Sequence, residues 1–384
     1  MNPLYESMPT SVFERMSVAA ARHGAVNLGQ GFPDFGWRRE ILDAAAHALT
    51  EGSNQYAPSR GLPELREAVA GHYRRHFGQD LSAANVCVTS GATEALGAAI
   101  LALVEPGDEI IVFTPAYDSY VPMIRRAGGT PVEIALRPPE WRIDRAALEA
   151  AVGPRTRAIV LNNPHNPTGR LFDMAELQVI AEAAHHHDLV VISDEVWEHI
   201  VLDGLAFTPL ATLPGMAERT IKVGSAGKIF SLTGWKVGWI VAPEAMAKVL
   251  AKAHQFLTFA TAPNLQAAVA FGLEQGDAWL APMRQDFQQA RDRLTRGLAA
   301  AGYAIGASRS TYFLCVDLAG SGIDISDEEF AAAAVERAGV AVIPLSPFAE
   351  REPPSQFVRL CFGKRDETLD AGIAAMARAR EMFA

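Results

Sequence analysis

Two kinds of apolar pattern alternate along most of this chain. Short continuous runs rich in Val and Ile, such as "NVCVTS", "DEIIVFTP", "AIVLNNP" and "LVVISDE", read as strands. Between them lie stretches with apolar residues at helical spacing: "GATEALGAAILALV", "AYDSYVPMIRRAG" and "DMAELQVIAEAAHHHD". "TIKVGSAGK" and "VGWIVAP" read as two further strands. Strands that are apolar throughout and separated by helices predict an α/β fold, a mostly parallel sheet with helices on both faces. Ahead of this region a polar arm runs to "AVNLGQGFPDF". A helix follows from about Arg39 to Thr50, and another is entered at Pro63, a residue suited to a first helical turn.

Past "APNLQAAVAFGLEQG" the alternation stops. A long charged helix, "WLAPMRQDFQQARDRLTRGLAAAG", leads to isolated strands and helices, among them "TYFLCVDL", "VAVIPLS" and "FVRLCFGK". That change predicts a second, smaller α+β domain. The length of 384 residues also exceeds what one core usually serves.

In open α/β sheets, ligands bind where strands end. The predicted strand exits carry "SGAT" (90–93), "TPAYDSY" (114–120), "NNPHNPTG" (162–169), "SDEVW" (193–197) and "GSAGK" (224–228). All are polar or glycine-rich, so they predict one convergent site. "SGAT" opens a helix, whose outward N–H groups at Gly91, Ala92 and Thr93 suit a phosphate; a plain turn capped by Ser90 is the simpler alternative. Asp194 ends an apolar strand, where a carboxylate is costly without a partner. Lys228 ends another, and a partly desolvated lysine is suited to imine formation; a solvated loop lysine is the alternative. Arg359 shares a strand face with Phe357 and Cys361 and needs an anion there.

Two nucleotide patterns fail. "LGQGFPD" has Asp34 where the last glycine of a dinucleotide fingerprint belongs, and "GSAGKI" has short glycine spacing and Ile229 where Ser or Thr is required. A phosphate cradle, an imine-forming lysine, an aspartate and an aromatic residue together are what pyridoxal 5′-phosphate requires.

Composition narrows the field. A net charge of −10 argues against broad nucleic-acid or anionic-membrane binding. The widely spaced Cys87, Cys315 and Cys361 form no ligand pattern and fit reduced thiols in a cytoplasmic protein. No run predicts a signal peptide or a membrane span. Consecutive His185, His186 and His187 on a helix point in different directions, so they predict a helix end and no metal site.

The ordered set "NLGQGFPDF", "NQYAPSRGLPELREA", "NNPHNPTG", "SDEVWEHI" and "SAGKIFSLTGWKVGW", followed by "FVRLCFGK", resembles the class I/II pyridoxal-phosphate aminotransferases of fold type I over nearly the whole chain. It is most similar to the branch holding kynurenine/glutamine, methionine and N-succinyldiaminopimelate aminotransferases. The resemblance implies an N-terminal arm and part of the small domain at 1–44, a large cofactor domain at 45–276 and a C-terminal small domain at 277–384. It implies that Lys228 forms the imine and moves protons, that Asp194 pairs with the pyridine nitrogen, and that Asn166 and Asn162 line the ring. Tyr117 would stack on the ring, and Gly91, Ala92, Thr93, Ser225 and Lys236 would hold the phosphate. Arg359 would bind the substrate carboxylate, helped by Gly31, Asn166 and Phe13. Tyr56 would reach the phosphate of the neighbouring subunit, which implies a homodimer.

One position departs from the resemblance: Trp197 stands where the family usually has Tyr. Indole can donate a hydrogen bond but cannot accept one or ionise like phenol, which predicts a shifted imine pKa. The implied reaction is ping-pong transfer of an amino group from an L-amino acid to a 2-oxo acid. If Tyr5, Phe13, Phe32, Tyr56 and Tyr117 converge, methionine, glutamine or aromatic donors are favoured. An N-succinyldiaminopimelate aminotransferase or a cysteine-S-conjugate β-lyase would use the same scaffold. A transcriptional regulator with such a domain would be expected to carry a basic DNA-binding extension as well, which makes it the weaker reading.

Overall fold

A computed structural model describes residues 1–383. In chain order its strands are β1 (Val26–Asn27), β2 (Val86–Thr89), β3 (Glu109–Thr114), β4 (Thr130–Ala135), β5 (Thr156–Asn162), β6 (Val190–Asp194) and β7 (Thr220–Ser225). They continue with β8 (Gly238–Val241), β9 (Ala304–Ile305), β10 (Phe313–Asp317), β11 (Val340–Ala341), β12 (Ile343–Pro344) and β13 (Phe357–Cys361). Seven of them form the central sheet in the order β2-β8-β7-β6-β5-β3-β4. The middle strands are buried over most of their length, β5 from Ala158 and β6 from Val191 onward, which is why they lack polar alternation.

Helices cover the sheet where their sequences dictate. Gly91–Leu103 buries Ala95, Leu96, Ala98, Ala99 and Ile100, so small residues let it lie close to the strands. Met174–His186 starts with a reciprocal cap between Asp173 and Glu176. Pro63–Phe77 begins on proline and ends at Gly78 in the left-handed conformation. Arg39–Glu51 packs beside Pro263–Glu274.

The smaller sheet runs β12-β13-β10-β9, all antiparallel, with Leu280–Ala300 and Asp366–Glu381 packed together beside it. The arm is attached here, because β1 pairs in parallel with β11 through Val26–Val340 and Asn27–Ala341.

Four expectations about local structure change. The helix expected over "AYDSYVPMIRRAG" covers only Tyr120–Arg126, because Ala116–Ser119 form the turn that carries Tyr117. Thr130–Ala135 is a strand whose half-buried edge position hid it from the apolar-run pattern. Lys228 does not end a strand: β7 stops at Ser225 and Lys228 lies in the short helix Ala226–Ile229. Finally, β8 runs antiparallel to both its neighbours.

That reversed strand positions the site. Gly238, the first residue of β8, pairs with Thr89 of β2 on one side and Ser225 of β7 on the other. The two exits 90–93 and 225–228 are thereby brought to one edge. In the same sheet Asn162 pairs with Asp194, and Asp194 with Val223.

Candidate active site

The strand exits enclose a cavity of about 220 Å³ lined by Gly91, Ala92, Thr93, Tyr117, Asn162, Asn166, Asp194, Trp197, Ser225, Lys228 and Lys236, among others. Eleven of the predicted residues therefore meet. Arg359, Gly31 and Phe13 lie alongside, tied to the cavity through Asn166 and Lys228 as described below.

At one end, Gly91 has φ +77°, and a Cβ there would lie 3.2 Å from the Lys236 ammonium nitrogen. Only glycine leaves this gap open without backbone strain. A Cβ on Gly238 would sit 2.7 Å from the Ala92 nitrogen, so the helix start and β8 approach as closely as backbones can. Ser90 does not cap the helix with its side chain; its own N–H donates to Glu94 Oε2. Lys236 has no ion pair among the described residues. Its charge and the positive helix end face one concavity, an arrangement made for an anion.

At the floor, Asp194 is buried, and burial raises its carboxyl to about 6. Tyr120 opposes that rise by donating to Asp194 Oδ2 at 2.6 Å. Asn162 Nδ2 donates to the Asp194 backbone carbonyl at 3.0 Å, and Asn162 Oδ1 accepts from the Asn166 N–H at 2.8 Å. The asparagine loop is thus pinned to the aspartate strand. Tyr117 stands in the wall with its hydroxyl 3.4 Å from Thr93 Oγ1.

Burial lowers the Lys228 amine to about 8, which puts a sizeable neutral fraction within reach near neutrality. Its nitrogen lies 4.5 Å from the centre of the Trp197 ring and donates to Tyr312 Oη at 2.9 Å. Trp197 therefore meets the lysine with its face, and the hydroxyl beside the lysine comes from residue 312.

Arg359 is 1% exposed. Nη1 donates to Asn166 Oδ1 at 2.8 Å and Nη2 to the Gly29 carbonyl at 3.0 Å, while Nε has no partner. Phe313 covers one face at 3.9 Å and Phe13 lies at 5.0 Å. Burial lowers the guanidinium to about 10, still charged at neutral pH. It has no carboxylate partner among the described residues. The backbone of Gly31 runs past it, since a Cβ there would lie 3.8 Å from Nη2.

A carboxylate at the cavity floor, an amine lowered by burial, an anion cradle and a buried arginine without a carboxylate partner are thus gathered in one place. Residues 24–376 match the family model described as aminotransferase class I and II. The chain belongs to the class I and II aminotransferases. This aminotransferase is 46% identical over 380 residues to a probable N-succinyldiaminopimelate aminotransferase, DapC, of Mycobacterium tuberculosis, covering 96% of each chain. It is 40% identical to a methionine aminotransferase of Escherichia coli, covering 97% of this chain and 96% of that protein. The solved structure of the M. tuberculosis N-succinyldiaminopimelate aminotransferase superposes with a TM-score of 0.95, covering 98% of this chain and 99% of that one. The fold is therefore that of the fold type I enzymes, and the cofactor of the class is pyridoxal 5′-phosphate.

The aminotransferase's residues fit that cofactor. The glycine gap beside Lys236 suits its phosphate, the buried carboxylate suits a protonated pyridine nitrogen, and the Lys228 amine suits its aldehyde.

Two expected pocket aromatics lie outside this cavity: Tyr5 is 56% exposed on the arm, and Phe32 packs over Lys364. Tyr56, expected to serve a neighbouring subunit, is 87% exposed with its ring edge-on to Phe259. Each sits in a loop or arm whose path sequence patterning does not define. Two important residues were missed, Tyr120 and Tyr312. Tyr120 lies inside the quoted "TPAYDSY", but its partner Asp194 is 74 residues away. The histidines 185–187 diverge, with His185 on the Pro214 carbonyl and His187 on Glu149. Among the described residues, no helix is long and apolar enough to cross a membrane.

Proposed function

We propose that the aminotransferase takes its amino group from an L-amino acid with a long uncharged side chain, of the methionine, glutamine or aromatic type. The supporting observation is the second cavity beyond Tyr117, of about 340 Å³, walled by Leu4, Met8, Pro9, Val12, Val121 and Phe348. The arginines on its wall, Arg15 and Arg125, are paired with Glu328 and Glu350. An N-acylated diaminopimelate donor is the second reading, favoured by the 46% identity to the M. tuberculosis protein.

In this reading Arg359 grips the α-carboxylate through its free N–H groups, with Asn166 and the Gly31 backbone fixing the approach. Gly91, Ala92, Thr93, Ser225 and Lys236 hold the phosphate, and Tyr117, Asn162, Asn166 and Trp197 fix the ring between them. When bound, pyridoxal 5′-phosphate supplies a sink for the electrons left as the α-proton departs. Asp194, held by Tyr120, keeps a negative charge under that sink. With the cofactor bound, Lys228 would hold it through its amine and, once displaced by the substrate's amino group, would serve as the base that takes the α-proton and the acid that returns it. Turnover releases a 2-oxo acid, and a second 2-oxo acid carries the amino group off.

The active unit in this reading is a homodimer. Tyr56 stands on the surface edge-on to Phe259, Phe256 and Leu257 are also exposed, and such apolar surface suits a second copy whose phosphate Tyr56 would reach. The division at 1–44, 45–276 and 277–384 follows the same reading, with the arm bound to the small sheet by β1. Three buried, unpaired cysteines fit a cytoplasmic setting.

A half-reaction screen tests the proposal: loss of the visible absorbance of the lysine-bound cofactor is followed with a panel of amino acids. Methionine, glutamine or aromatic donors should react. Reaction only with the acylated diaminopimelate would move the assignment to the second reading. Pyruvate release from a cysteine conjugate without acceptor would identify β-elimination.

A further inference from the structure

We propose that Tyr312 is a positioning residue for Lys228, supplying beside the lysine the hydroxyl that Trp197 lacks. Its Oη accepts from the Lys228 amine at 2.9 Å and donates to the Gly31 carbonyl at 2.6 Å. One phenol thus links the reactive nitrogen to the arm segment that passes Arg359. The proposal rests on Lys228 being the lysine that bonds the cofactor.

The ring has little freedom. Tyr312 is fully buried and clamped by Trp197 edge-on at 4.5 Å and 87°, by Phe313 at 4.9 Å and by Phe287 at 5.8 Å. The carbonyl it donates to is fixed too, since a Cβ on Gly31 would lie 2.7 Å from Phe313 Cζ. A clamped ring and a fixed carbonyl leave the oxygen one free lone-pair direction, and Lys228 occupies it. Burial keeps this phenol well above its ordinary pKa, so it acts as a neutral acceptor. Trp197 has no oxygen to offer, and its face can only attract the ammonium as a π cloud. The other charged or titratable groups facing Lys228 are Asp194, Arg359, Lys236 and Cys361, and its nitrogen also lies 3.5 Å from the Gly31 carbonyl, a longer contact than the one to Tyr312.

An acceptor holds an ammonium more strongly than a neutral amine. Tyr312→Phe should therefore lower the Lys228 pKa below its value of about 8. The shift should be on the order of one pH unit, the scale of a hydrogen bond to a charged group. Competitive acetylation of the apoenzyme across pH reads this directly, with the Lys228 peptide quantified by mass spectrometry and the Lys236 peptide as internal control. In the loaded enzyme, kcat should fall roughly tenfold while KM for the amino donor changes little, as for a misplaced reacting group. Incorporating 4-fluorophenylalanine at position 312 keeps the ring and fills most of the hydroxyl's space, but it cannot ionise and offers only a very weak acceptor. It should shift Lys228 the same way, and it covers the case in which the phenylalanine variant folds poorly.

A Lys228 midpoint unchanged in both variants would overturn the proposal. So would a raised KM with unchanged kcat, which would make Tyr312 a wall of the substrate site. Failure of the underlying reading looks different: pyridoxal 5′-phosphate would then not protect the wild-type Lys228 peptide from acetylation.

Discussion

Arg359 on β13 donates through Nη1 to Asn166 Oδ1, on the loop after β5, at 2.8 Å. A residue of the small sheet is thereby joined to the loop that borders the Asp194 strand. The guanidinium plane is set before any substrate arrives. Arg359→Lys keeps the charge but loses the planar fork and the bond to either Asn166 or Gly29. kcat/KM for the amino donor should fall about a hundredfold, the scale of losing one charge-assisted pair. Steady-state kinetics checks this, and a fall of less than about threefold would mean that the carboxylate binds elsewhere.

Lys228→Ala removes the one cavity amine that burial holds near 8. The variant should fold, keep pyridoxal 5′-phosphate noncovalently through the Gly91–Lys236 cradle, and lose both turnover and the visible absorbance of the lysine-bound cofactor. Retained turnover would mean that another amine serves.

Asp194 gives a pH-dependent stability test. Its folded-state pKa of about 6 is raised from an ordinary 3.8, so the folded apoenzyme resists ionisation. Below pH 4 the group is neutral in both states and costs nothing. As pH rises from 4 to 6 the unfolded chain ionises first, and stability falls, reaching a penalty of about 3 kcal/mol above pH 6. Asp194→Asn should remove the pH-dependent part. The apo variant should gain stability relative to the native chain between pH 4 and pH 7, measured by denaturant titration, while turnover falls sharply. A difference between the two proteins that does not vary with pH would show that the carboxylate is not held in its neutral form.

Gly91→Ala tests the cradle. At φ +77° an alanine costs about 1–2 kcal/mol of backbone strain, and its methyl group meets Lys236. The dissociation constant for pyridoxal 5′-phosphate should rise about tenfold, with the visible spectrum of the bound form unchanged. Equal affinity in equilibrium dialysis would place the phosphate elsewhere.

Much of this site could be read in the sequence because its residues sit where strands end. Val and Ile runs mark a strand, and the first polar residue after the run marks its exit. Asp194 is legible this way, and so are the exits that carry Asn162 and Ser225, whose particular roles come from the family resemblance. Strand direction was not legible, since Val237–Val241 has the same composition whichever way it runs; β8 is antiparallel because of its partners. Tyr312 was hidden for a related reason. It precedes an ordinary apolar strand, "FLCVD", and only packing against Trp197 and Gly31 gives its hydroxyl a purpose. The arm aromatics differ in the opposite sense: Tyr5 and Phe32 look like pocket residues, but Tyr5 is largely exposed and Phe32 packs over Lys364, contacts that no periodicity in the arm announces.

Gly238 pairs with Thr89 and Ser225 at once, and its Cα faces the backbone of Gly91 and Ala92. A slip of β8 by one residue would put the side chain of Val237 or Trp239 where only hydrogen fits, and would turn the apolar face of the strand outward. The cradle and the core thus share one register. The chain cannot misalign this strand and keep the cradle's shape, so with the phosphate held there as proposed, cofactor retention would double as a readout of correct folding, and binding would favour the one alignment that closes the sheet.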